Sequence, residues 1–163
     1  MGKIIYEIQD KVYLNTLRLQ DELKYWKAHN KKIVFTNGCF DILHRGHIEY
    51  LIKAKELGDI LIVGLNSDNS VKKLKGDNRP INDQMSRGLI LASLMFVDAV
   101  VIFDEETPLN LIKMVNPGTL VKGGDYISEQ IVGYDFVKEN GGEILTIDLV
   151  HGFSTTNIID SFF

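Results

Sequence analysis

The chain has 163 residues, 45% hydrophobic and 25% charged, with a formal net charge of −4 at pH 7. That length and composition suit one globular domain with its own core, and the acidic balance argues against general nucleic-acid or membrane-surface binding. The lone Cys39 excludes an internal disulfide framework and a cysteine-rich zinc site, and points to a reducing, cytoplasmic setting. No apolar run approaches the ~18–20 residues that cross a bilayer, and the opening MGKIIYEIQDKVYL lacks the apolar stretch of a secretory signal.

Along the chain, residues 10–29 read as an N-terminal helix carrying Val12, Leu14, Leu17, Leu19, Leu23 and Trp26. Ile33 to Thr36 reads as a buried strand. A helix follows from Gly46 to Leu57, with Ile48, Leu51, Ile52 and Leu57 on one face and Gly58 as its stop. Ile60 to Leu65 is a second strand, short and rich in β-branched residues. The polar stretch 66–83 reads as a loop, followed by a helix from Gln84 to Phe96 capped by Asn82 or Asp83. Ala99 to Phe103 is the third strand, and Thr107 with Pro108 opens another helix. Thr119 to Lys122 and Glu143 to Ile147 are the fourth and fifth strands, with a helix over 129–139 between them and a short apolar helix at the C-terminus. Strands that are apolar throughout and alternate with helices predict an α/β fold: a Rossmann-like three-layer sandwich with a five-stranded parallel sheet and helices on both faces. Residues 1–163 are then one domain, with 1–30 as a helical extension and 31–161 as its α/β core. Ligands in such a fold bind at the carboxyl ends of the strands, near the switch in strand order.

The segment Thr36-Asn37-Gly38-Cys39-Phe40-Asp41-Ile42-Leu43-His44-Arg45-Gly46-His47 joins the first strand to a helix. A helix N-terminus in that position attracts phosphate, and Gly38 allows close approach to the backbone. His44 and His47 are three residues apart and share a face of the first turn, with Gly46 between them. Two imidazoles there can donate hydrogen bonds to a phosphate and stabilise charge developing during transfer; the plainer reading is that one or both cap the helix or fill a polar pocket. Asp41, His44 and His47 also have the spacing of a two-His, one-carboxylate metal site, although the basic and glycine-rich features would then have no role. Lys72, Lys73, Lys75, Arg79 and Arg87 form a basic cluster over 72–87. Charge runs are commonly just solvated loops, yet Lys75 and Arg79 can close over a triphosphate, and a cation like Arg87 near a helix N-terminus gains a purpose from a bound anion. Lys122-Gly123-Gly124-Asp125-Tyr126 lies at the same carboxyl edge, and Gly152 to Asn157 precedes the last helix. The P-loop, dinucleotide and nucleophile-elbow glycine patterns are absent, which weakens kinase, dehydrogenase and serine-hydrolase readings.

NGCFDILHRGH, from Asn37 to His47, resembles the HxGH signature of the cytidylyltransferase-like nucleotidyltransferases. LIVGLNSD, LKGDNRPIN, LVKGGDY and GFSTTNII are similar to the D-glycero-β-D-manno-heptose 1-phosphate adenylyltransferase branch of that family, over about residues 31–161. In that branch the activity is often fused to a sugar kinase, so the chain resembles a stand-alone form. The resemblance implies adenylyl transfer from ATP, with Mg²⁺ accompanying the triphosphate, onto a sugar 1-phosphate in the ADP-heptose route to lipopolysaccharide. It implies His44, His47 and Lys75 as catalytic residues. Its nucleotide set is Thr36, Asn37, Gly38, Phe40, Asp41, Gly46, Asp68, Arg87, Lys122, Gly123, Asp125, Ser154 and Thr155, the first four acting largely through backbone. It names no protein ligand for the metal. Small molecules are the expected partners, with no nucleic acid and no membrane, and a homodimer is compatible with the superfamily. Two departures, Leu149 in place of an arginine and Gly124 in place of an aspartate, speak against the glycerol-3-phosphate cytidylyltransferases. The competing expectations are a CTP-dependent enzyme and a nucleotide-binding module without turnover.

Overall fold

The computed structural model describes residues 2–124, 127–148 and 155–160. The elements in chain order are α1 (Lys3–Gln9), β1 (Val12–Tyr13), α2 (Thr16–Ala28), β2 (Ile33–Gly38), α3 (Arg45–Lys55), β3 (Ile60–Asn66), α4 (Asp68–Lys75) and α5 (Gln84–Ala92). They continue with β4 (Ala99–Phe103), α6 (Leu109–Val115), β5 (Thr119–Gly123), a single 3₁₀ turn at Ser128–Gln130, α7 (Tyr134–Glu139), β6 (Glu143–Ile147) and α8 (Thr155–Asp160). The strands form one sheet in the order β1-β4-β3-β2-β5-β6, and every pairing is parallel.

The strands are apolar at successive positions because both faces of the sheet are covered. Ile33, Phe35, Ile62, Ala99, Val101 and Leu120 face one layer, where they meet Leu19 and Leu23 of α2, Leu111, Ile112 and Val115 of α6, and Val137 of α7. The alternate residues Val34, Leu61, Val63, Val100 and Val121 face the other, against Tyr50, Leu51 and Ala54 of α3 and Leu91 and Ala92 of α5. This period-two division of apolar side chains is the signature of a strand buried on both sides.

The expected five strands become six, because Val12 and Tyr13 pair with Val100 and Val101 at the sheet edge. The helix expected over 10–29 is β1 followed by α2. Asn15, in extended conformation before Thr16, separates them. The expected loop 66–83 contains α4, started by Ser67, whose side-chain oxygen accepts from the Ser70 N–H at 3.0 Å. The helix expected over 84–96 stops at Ala92; its cap is Asp83, which accepts from Met85 and Ser86 N–H at 2.9 Å each. The helix expected over 129–139 is shortened to α7 by Gly133 in the left-handed region at φ 91°.

The order β4-β3-β2 to one side and β5-β6 to the other puts the switch in strand order between β2 and β5. In open parallel sheets ligands bind outside the carboxyl ends of the strands at such a switch point.

Candidate functional site

The chain leaves β2 at Gly38 and turns through Phe40, a non-glycine residue at φ 44°, a conformation that costs about 1–3 kcal/mol unless its surroundings enforce it. They do: the Phe40 ring is buried and stands edge-on to His47 at 5.3 Å between centroids. A Cβ on Gly38 would lie 3.0 Å from the Phe40 ring, so glycine here makes room for that ring.

α3 begins directly after His44, which occupies the N-cap position without a side-chain cap bond. The capping role is therefore taken by neither imidazole. Instead the His44 and His47 rings stack, with centroids 3.9 Å apart and planes 25° from parallel. Burial, and His44 beside it, bring His47 down to about 4, and burial lowers His44 as well. His47 is thus a neutral hydrogen-bonding group at physiological pH, and its Nδ1 has no hydrogen-bond partner among the described residues. Gly46, between the histidines, is buried.

His47 lines a cavity of ≈ 260 Å³ together with Cys39, Phe40, Asp41, Lys75, Arg79 and Thr155. Two larger grooves, ≈ 480 Å³ beside Gly133 and Tyr134 and ≈ 440 Å³ beside Leu14 and Met114, have neither paired histidines nor a cluster of cations in their walls. The chemistry selects the smaller cavity. Thr155 enters it from the start of α8, its hydroxyl 3.4 Å from the Ile42 carbonyl. Burial pushes the Cys39 thiol up and outweighs the downward pull of Lys75, Arg87 and Arg79; Lys75 and Arg79 share the cavity wall with it.

Two of these cations are already engaged. The Asp41 carboxylate, with its side chain 1% exposed, accepts from Arg79 Nε at 2.7 Å and from the N–H groups of Ile81 and Asn82 at 2.8–2.9 Å. Burial pushes its carboxyl upward, but those donors outweigh it and hold the group below the usual carboxylate range. Arg87 is 1% exposed and donates to the carbonyls of Asn82 (2.9 Å), Cys39 (2.7 Å) and Asn66 (2.8 Å) and to Asp68 Oδ1 (2.7 Å). It ties β2, β3, α4 and α5 together beneath the cavity. That is a framework position rather than the surface cation near a helix start that the sequence suggests, and Asp68 is its counter-charge.

Among the described residues Lys75 and Lys122 have no ion-pair partner. Lys75 ends α4 exposed at the cavity rim. Lys122, near the end of β5, donates to Asn37 Oδ1 of the neighbouring β2 at 2.6 Å, and burial brings it down to about 8. Thr36 is fully buried, its hydroxyl sharing a 2.6 Å hydrogen bond with Tyr50, which leaves only its backbone for a ligand. Gly123 ends β5, and the N–H of Gly124 bonds to the Ile147 carbonyl at 3.0 Å.

The metal-site alternative does not assemble: Asp41 is turned toward residues 79–82, and no group of three His, Cys, Asp or Glu among the described residues can hold a metal ion. Asp125, Tyr126, Leu149 and Ser154 lie outside the described residues. Missed in the sequence were the Cys39 carbonyl and the backbone of 81–82, which serve through main-chain atoms that residue identity does not advertise.

Residues 35–160 match the cytidylyltransferase-like family model. The chain is 61% identical over 140 residues to the bifunctional protein HldE of Campylobacter fetus subsp. fetus, covering 86% of this chain and 30% of that protein. To the bifunctional protein HldE of a Nitratiruptor species it is 63% identical over 130 residues, covering 80% and 27%. It thus spans under a third of the length of these curated relatives. Among solved structures, the lipopolysaccharide core biosynthesis protein of Thermoplasma volcanium GSS1 superposes with a TM-score of 0.59 at 28% identity, over 74% of this chain and 97% of that one. Pantoate-beta-alanine ligase of Francisella tularensis shares the fold, with a TM-score of 0.64 at 16% identity over 92% and 76%.

Proposed function

The chain belongs to the cytidylyltransferase-like family of nucleotidyltransferases, and on that premise we propose that it transfers AMP from ATP to D-glycero-β-D-manno-heptose 1-phosphate, forming ADP-heptose and pyrophosphate. The observation that carries this reading is the neutral His47, which stacks on His44 and lines one cavity with Lys75 and Arg79. The cavity is below the ~300–1,000 Å³ of a complete small-molecule pocket, a size suited to the phosphate end of a nucleotide. The sugar rests on the likeness of LIVGLNSD, LKGDNRPIN and LVKGGDY to the heptose branch, supported by the HldE relatives and the Thermoplasma protein.

An oxygen of the sugar phosphate attacks the α-phosphorus of ATP, a P–O bond forms, and the bond to the bridging oxygen of pyrophosphate breaks. The nucleophile is already anionic and the leaving group stable, so the protein positions the reactants and stabilises charge. His47 and His44 donate to the reacting phosphate from the start of α3, where the helix dipole adds partial positive charge. Lys75 neutralises the departing pyrophosphate, and Asp41 aims Arg79 at the same space. Mg²⁺ is proposed, on the family resemblance, as the counter-ion of the triphosphate, where it would be held mainly by the phosphates. Residues 1–163 act as one catalytic domain in this reading, on small water-soluble substrates of the cytoplasm. No helix among the described residues is long and apolar enough to cross a membrane.

The test is a panel of ATP, CTP, GTP and UTP against heptose 1-phosphate, glycerol 3-phosphate and other sugar phosphates, read by pyrophosphate release. Signal with ATP and heptose 1-phosphate is the expected result. Turnover only with CTP and glycerol 3-phosphate overturns the substrate. Nucleotide-induced stabilisation without pyrophosphate from any pair overturns catalysis.

A further inference from the structure

The reaction brings two polyanions to one phosphorus from opposite sides, so one set of cations cannot serve both. Lys75 and Arg79 follow β3, on one side of β2 in the sheet; Lys122 belongs to β5, on the other side. Cys39 follows Gly38, the last residue of β2, and so lies between these two sides in strand order. Lys122 is absent from the wall of the cavity that His47, Lys75 and Arg79 share. It occupies the switch point itself, where its ammonium bridges β5 to Asn37 of β2.

Among the described residues Lys122 has no counter-charge. Its ammonium is largely enclosed, yet its acceptor is a neutral amide oxygen at 2.6 Å, and no carboxylate among the described residues pairs with it. Burying an ammonium without a counter-charge is costly, and the fall toward about 8 records that cost. A purely structural lysine could be exchanged for an apolar side chain with profit. A doubly charged phosphate monoester would supply the missing charge, and with its oxygen held by Lys122 the Asn37 amide presents its NH₂ group as a further donor.

We propose that Lys122, held at the β2–β5 switch point by Asn37, anchors the phosphate monoester of the acceptor, apart from the cations that hold the pyrophosphate of the nucleotide. This rests on the nucleotidyl-transfer reading above. Phosphate esters are thereby selected over neutral sugars, and acceptor and nucleotide affinity are set by different residues.

The experiment compares wild type with Lys122→Met and Lys122→Arg in the full chain. KM for heptose 1-phosphate is measured at saturating ATP, and the ATP Kd by calorimetry without acceptor. The expected result is an acceptor KM raised about 10- to 100-fold in Lys122→Met, partly restored in Lys122→Arg, with the ATP Kd moving less than about threefold. An ATP Kd that rises as much as the acceptor KM, or an acceptor KM that does not move, overturns the assignment. Thermal stabilisation by heptose 1-phosphate alone gives a readout independent of turnover: it is expected in wild type and lost in Lys122→Met, and equal stabilisation of both overturns it. Absence of pyrophosphate in wild type instead counts against the nucleotidyl-transfer reading.

Discussion

His47 is neutral because its surroundings make it so, and that neutrality has consequences for rate and for stability. A neutral imidazole still donates one N–H, and a donor placed where charge develops is worth about 2–3 orders of magnitude in turnover. His47→Ala is therefore expected to lower kcat by about 100-fold or more while leaving ATP binding within reach of calorimetry; near-normal turnover would remove His47 from the chemistry. Folded His47 stays neutral to about pH 4, whereas an unperturbed histidine protonates near 6.5. Between those values the unfolded chain binds more protons, so the folded state is favoured fully above pH 6.5 and loses stability as the pH falls toward 4. Urea midpoints across that window are expected to fall less steeply in His47→Asn than in wild type. Parallel curves would show that His47 does not contribute to the acid sensitivity.

The same cavity depends on segments whose own sequence gives little warning of their role. Asp41 collects Arg79 and two backbone N–H groups, and the Asn82 side chain donates back to the Asp41 carbonyl at 3.0 Å. Asp41→Asn keeps the shape but removes the charge and sets an NH₂ group among donors. It is expected to cost about 2–3 kcal/mol by denaturant titration, and to raise KM for ATP as Arg79 loses its aim. Unchanged stability and KM would mean that residues 79–82 hold themselves in place. Asp41 was visible in the sequence as a carboxylate beside the histidines, but its donors lie 38–41 positions away, so ligand and framework roles looked alike. Arg87 shows the same problem: its acceptors Cys39, Asn66 and Asp68 come from different elements, and only their convergence reveals a buried strut. α4 was hidden because DNSVKKLK offers only Val71 and Leu74 as apolar positions, too few for a helical period. The long β2 to β5 strands and the His44–His47 turn were legible because their patterns are local.

At the scale of the molecule, the first residues extend the sheet. β1 is two residues long, too short for any alternation to register, yet it seats Val12 in one core layer and Tyr13 in the other. The Lys11 carbonyl accepts from Val100 N–H at 2.8 Å, and Lys11 Nζ donates to the Val97 carbonyl at 2.9 Å. Ile8 of α1 packs against the α3–α5 layer, and Arg18 stacks 4.6 Å over the Tyr13 ring. Removing residues 2–14 would uncover the edge of β4 and forfeit the burial of two large apolar side chains, worth about 3–5 kcal/mol. For a chain of this length that corresponds to a drop in Tm of roughly 10 °C, and the bare edge of β4 would favour concentration-dependent aggregation. His47, Lys75, Arg79 and Lys122 all lie outside the deleted segment, so ATP should still stabilise the shortened chain at low temperature. Scanning calorimetry with and without ATP, together with light scattering against concentration, reads both effects. An unchanged Tm with no aggregation would make the segment an appendage; loss of ATP-induced stabilisation at a temperature where the chain remains folded would tie the sheet edge to the nucleotide site.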